Sequence, residues 1–110
     1  MDELEFGLVE NGYITLREIS FRNVIVPKGF VFDGVTVKAP FTLLFSQKNL
    51  RNGIRASCFH DYMCKRKTLY KRSYSTKILV KLWKNDGLGS VKAGIVYCLV
   101  EMYQYLRGWK

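Results

Sequence analysis

His60 is the only histidine in the 110 residues, and Asp61 follows it directly. Imidazole is the one side chain whose ordinary pKa lies near neutrality, which makes His60 the natural candidate for a general base. Such a base needs a carboxylate to fix its orientation. Neighbouring residues on a helix point about 100° apart, so Asp61 does not orient His60 directly. Asp33, in the turn sequence Phe32-Asp33-Gly34, is the acid the sequence offers instead. One reading is a small hydrolase with His60 as base and Asp33 or Asp61 as its carboxylate. The other is a structural bond from His60 to Asp33 or a backbone carbonyl, which pins a helix onto a sheet. Structural use of a lone pair of this kind is the commoner case.

The three cysteines are Cys58, Cys64 and Cys98. An odd count reads as reduced thiols, most simply as small core residues. Cys64 and His60 share a helical face at a spacing of four, whereas Cys58 lies about 240° round from Cys64. A closed zinc site needs four ligands at regular spacing, so no metal is expected. Cys58 or Cys64 would act as a nucleophile only if exposed and ionised. Gly87-Leu88-Gly89-Ser90 precedes a helix but reads as a cap and a turn rather than a phosphate loop. No cofactor is expected.

Charge is the second chemical signal. The chain carries a net +9, but residues 1–47 hold four basic and six acidic groups, whereas residues 48–92 hold twelve basic and two acidic. A field so localised draws nucleic acid, an anionic membrane surface or an acidic protein; as a solvated face it also keeps a small domain dispersed. Its densest part is the segment Lys65, Arg66, Lys67, Tyr70, Lys71 and Arg72. Cations there neutralise phosphates and tyrosines stack on bases, so nucleic-acid backbone binding is an alternative function. The segment equally suits an exposed loop whose tyrosines cover the core edge.

The elements that must position these groups are legible from periodicity. Alternation over Tyr13–Arg17, the β-branched run Phe21–Val26 ended by Pro27, then Phe30–Phe32 and Val35–Val37, predict an antiparallel meander of three or four short strands. Turn signals lie at Asn11-Gly12, Lys28-Gly29 and Asp33-Gly34. Phe41–Asn52 reads as a connection. Three helices follow, over about Gly53–Lys65, Ser75–Asp86 and Ser90–Leu106. The second is capped by Gly87 and the third by Ser90. The third carries an apolar stripe of Val91, Ile95, Cys98, Leu99, Met102, Tyr105 and Leu106. Strands followed by helices make one α+β domain over residues 1–110, its β part about 10–40 and its helical part about 53–107. The acidic start argues against a signal peptide, and no apolar run is long enough for transmembrane insertion.

Val26-Pro27-Lys28-Gly29-Phe30-Val31-Phe32-Asp33-Gly34, then Thr36 and Pro40, followed by His60-Asp61-Tyr62, Arg72, Gly87 and Gly108-Trp109, resembles a bacteriophage and prophage family with no assigned molecular function. The resemblance spans about Tyr13 to Trp109. It implies viral origin, with other phage proteins as partners and a place in the virion or the host cytoplasm. Three positions depart from the family pattern. Thr36 replaces a serine, with two extra residues before Pro40; Cys64 replaces a tyrosine; and Thr76 replaces an aspartate. If that aspartate does chemistry, this chain has lost it. The leading expectation is therefore a structural or interaction component, active in the virion, in assembly or in lysis.

Overall fold

Short alternating segments pair early in the chain. β1 (Phe6–Val9) and β2 (Gly12–Thr15) form an antiparallel hairpin, with Val9 opposite Gly12. β2 also pairs with β5 (Val31–Phe32), Tyr13 facing Phe32. Gly12 allows that approach, since a Cβ there would lie 2.5 Å from the Phe32 carbonyl oxygen. The expected turn glycine is thus a strand residue under another backbone. The computed structural model describes residues 5–10, 12–33 and 45–109. The strand expected at Val35–Val37, the Gly34 turn position, Thr36 and Pro40 lie outside the described residues.

Between β2 and β5 the chain makes a separate two-stranded ribbon, β3 (Ile19–Phe21) and β4 (Val24–Val26). The run Phe21–Val26 was expected as one strand; it breaks at Arg22-Asn23, and Arg22 takes a positive φ of 54°. A two-residue hairpin connection needs that left-handed geometry, and Asn or Gly would adopt it with less strain. Thr15 anchors the ribbon's return. Its hydroxyl donates to the Pro27 carbonyl (2.7 Å) and accepts from the Phe30 amide (2.8 Å).

Four helices follow among the described residues. α1 (Gln47–Asn52) falls in the stretch expected to be a connection. A reciprocal capping box between Ser46 and Asn49 starts it, an unusual one because asparagine stands where glutamate or glutamine is usual. α2 (Ile54–Cys64) lies close to the predicted bounds. α3 (Arg72–Asn85) begins three residues before Ser75. It ends in a Schellman turn, with Gly87 at φ 122° and the Leu88 amide donating to the Trp83 carbonyl. α4 (Ser90–Leu106) has the predicted bounds, but Ser90 is not its cap. Gly89 holds the extended cap position and no side chain supplies a cap bond.

The core forms where α2 lies between the strands and α3. Val24, Val26 and Phe32 meet Phe59 and Met63 of α2, and Ile78, Leu79 and Trp83 of α3 close the other side. Each such side chain withdrawn from water contributes roughly 1.5–3 kcal/mol before entropy is counted. The result is the α+β architecture anticipated, antiparallel strands first and helices after. No described helix is long and apolar enough to cross a membrane.

Candidate functional site

Three helices and the chain's end converge on His60. On α2, one turn on, the Cys64 Sγ lies 3.4 Å from His60 Nδ1. After α4, Gly108 adopts φ 101°, and the Trp109 amide donates to the Gln104 carbonyl at 2.9 Å. This second Schellman turn folds Trp109 back into the protein, where its buried indole sits 6.4 Å from the His60 ring. Arg72 at the start of α3 fastens the arrangement. Its Nε donates to Glu101 (3.1 Å) and its Nη1 to the Trp109 carbonyl (3.1 Å). The buried Thr76 hydroxyl reaches both the Arg72 carbonyl and Glu101 Oε1.

Electrostatics make this a neutral imidazole in a half-buried setting. Burial pushes His60 down to about 4, only partly opposed by the negative charge of Glu101. Burial likewise pushes the Cys64 thiol up to about 12, with Asp61 adding to the effect. Cys58, fully buried, is also raised to about 12, by burial first and then by Asp61. Near neutral pH His60 and Cys64 therefore meet as uncharged ring and uncharged thiol, and neither thiol has the ionised form a nucleophile needs. Cys98, expected in the core, is exposed.

The expected acid–base pair is not joined by a hydrogen bond among the described residues. His60 contacts Cys64, and the carboxylate that influences it is Glu101. Asp33 directly follows β5, which packs on α2, and its charge acts on Asp61. Burial raises the Asp61 pKa, Lys65 lowers it, and the charge of Asp33 raises it further. Asp61 pairs with Lys65 at 3.5 Å. The 100° between His60 and Asp61 sends one side chain inward toward α4 and the other toward β5. No group of three or more metal-ligating side chains occurs among the described residues.

The basic segment Lys65–Arg72 is largely engaged within the protein. Lys65 pairs with Asp61 and lies 5.1 Å from the Phe30 ring centroid. Arg66 stacks 3.8 Å over Tyr62 and donates to its carbonyl. Lys67 lies 5.8 Å from the Trp109 ring centroid, Tyr70 packs on the core, and Arg72 belongs to the Glu101 network. Lys71 alone of the six has no such contact among the described residues. Composition shows cations, not whether the fold has already matched them.

The apolar stripe of α4 holds a different surprise. Val91 is 80% exposed, Met102 58% and Leu106 77%. Cys98 and Tyr105 also face outward, while Ala93 and Val96 are the residues α4 buries. Periodicity located the stripe but gave no sign that most of it faces solvent, with Ile95 and Leu99 half-buried within it. Glu101, Thr76 and Trp109 were not anticipated as a cluster; the signal available was the Gly108-Trp109 cap.

The pattern of a family described as Protein of unknown function (DUF1353) matches residues 8–100. No curated protein and no solved structure matches the chain.

Proposed function

The chain belongs to the family of proteins of unknown function (DUF1353), and on that premise we propose that it is a phage-encoded structural or interaction component that docks another phage protein through α4. One observation carries this reading: the apolar stripe Val91, Cys98, Met102 and Leu106 is turned to solvent. Contiguous apolar exposure on a small domain marks a surface that another protein covers. The placement of His60 supports a non-enzymatic role. Its half-buried ring lies against Cys64 and Trp109, and at about 4 it is a weak base. The hydrolase alternative retains an unprotonated imidazole at neutral pH, but it has no ionised nucleophile beside it and no hydrogen-bonded Asp33. A place in the virion, in assembly or at the lysis stage belongs to the same proposal.

Mass spectrometry of purified particles tests it together with two variants. Met102→Glu with Leu106→Glu alters exposed positions only, so the circular dichroism spectrum is expected to stay native while the protein is lost from its partner complex. His60→Gln, if folded, is expected to support infection. A folded His60→Gln variant that blocks infection, beside an α4 variant that does not, overturns the reading in favour of catalysis.

A further inference from the structure

We propose that a groove formed by α3, α4 and the tip of the β3–β4 ribbon is a seat for single-stranded nucleic acid. It holds about 380 Å³ and is lined by Arg22, Lys77, Lys81 and Lys84, by Tyr74 and Tyr97, and by no acidic residue. This inference is independent of the α4 stripe.

The first support is unmatched charge. Lys77, Lys81, Lys84 and Arg22 are exposed, and none has an ion-pair partner among the described residues, although the Arg22 guanidinium lies 5.4 Å from the Phe21 ring centroid. Several cations elsewhere are matched: Arg17 and Arg55 share Glu5, Lys92 donates to Asn49, and the 65–72 segment apart from Lys71 is engaged as described. Three such cations follow one another along α3, whereas in the loop where composition is densest only Lys71 is left without a contact among the described residues.

The second support is spacing. Tyr74, Lys77, Lys81 and Lys84 recur at one helical face, and the three ammonium groups span about 10 Å of axis. That row suits a run of phosphates along an extended strand. Arg22 completes the opposite rim. The left-handed φ of 54° there is a geometry in which glycine or asparagine is unstrained, yet the residue is a cation.

The third support selects the polymer. Tyr97 of α4 and Tyr74 of α3 line the same concavity as the cations. Aromatic rings beside a cationic track are how base faces and phosphates are held together without sequence preference. An acidic protein surface uses the charges but not the rings. A membrane surface suits a flat patch rather than a groove.

The test is fluorescence anisotropy with a labelled oligothymidylate over a salt series. Four phosphate contacts give a slope near −3 in log affinity against log salt, a fall of about 50-fold between 50 and 200 mM. Lys77→Glu with Lys81→Glu and Lys84→Glu is expected to abolish binding while circular dichroism stays native. Tyr97→Leu is expected to weaken it about tenfold. Lys65→Glu with Lys67→Glu and Lys71→Glu serves as the comparison and is expected to cost less than the α3 set. The inference is overturned if the folded wild-type protein ignores oligothymidylate at low salt. It is equally overturned if the α3 charges make no difference, or if Tyr97→Leu binds as wild type and polyglutamate competes fully. In each of these cases the α4 docking proposal still stands or falls on its own variants.

Discussion

Arg72, in the first turn of α3, donates to the carbonyl of Trp109, 37 residues later in the chain, while its Nε holds Glu101 on α4. A planar guanidinium holds its donors in a fixed fork that meets both acceptors, whereas an ammonium group is a compact point charge without that geometry. Arg72→Met strands a partly buried carboxylate and a carbonyl, and is expected to lower unfolding free energy by about 2 kcal/mol. Arg72→Lys should lose a sizeable part of that. Urea unfolding monitored by circular dichroism measures both, and a loss under about 0.5 kcal/mol in the methionine variant would show the clasp to be incidental.

Gly108 lets the chain turn back so that Trp109 reaches His60. At φ 101° an added Cβ is strained whatever the space around it. Gly108→Ala is expected to cost about 1–2 kcal/mol and to expose the indole. A red-shifted tryptophan emission relative to wild type reports that release; an unshifted spectrum with native stability contradicts it.

The lowered pKa of His60 makes stability depend on pH in a defined direction. Unfolded, the imidazole titrates near 6.5; folded, near 4. Between those values the unfolded chain binds the extra proton. Stability from this source is complete above the unfolded pKa and declines as pH falls toward 4, by an amount of about 3 kcal/mol. The raised pKa of Asp61 acts with the opposite sign, since its folded carboxyl takes up a proton more readily. Urea unfolding across this range, repeated with His60→Gln, isolates the histidine contribution. An equal pH slope in the two proteins would refute the assignment.

Thiol reactivity should follow burial. Cys98 is exposed, whereas Cys58 is buried, Cys64 is half-buried, and both are raised to about 12. Limited alkylation of the folded protein is expected to modify Cys98 first, with Cys58 and Cys64 following only on unfolding. Peptide mapping that finds Cys64 modified at a comparable rate would mean that the cluster around His60 opens readily.

The order of elements was legible because each depends on local pattern. Helices α2 and α4 followed from spacing, the end of α3 from Gly87, and the β-rich beginning from β-branched runs. What depends on tertiary context was not legible. Two strands replaced one at Phe21–Val26 because a single residue turned left-handed at Arg22. The acidic start concealed β1, whose residues matter only once β2 lies beside them. For the site, His60 was found but its partners were not. Asp33 looked apt from its turn sequence, yet the acid that reaches His60 electrostatically is Glu101, 41 positions on. Charge density in sequence likewise pointed to Lys65–Arg72, because it does not register that Asp61, Tyr62 and Glu101 already engage those cations.

The ribbon between β2 and β5 leaves and rejoins the body at Thr15, whose hydroxyl grips both Pro27 and Phe30. Everything beyond that clamp is a detachable excursion as far as the three-stranded sheet is concerned. Extra residues spliced between Arg22 and Asn23 would lengthen the excursion without altering how Tyr13 meets Phe32. Evolution, or an engineer, can therefore redraw one wall of the molecule there while the register beneath it stays untouched.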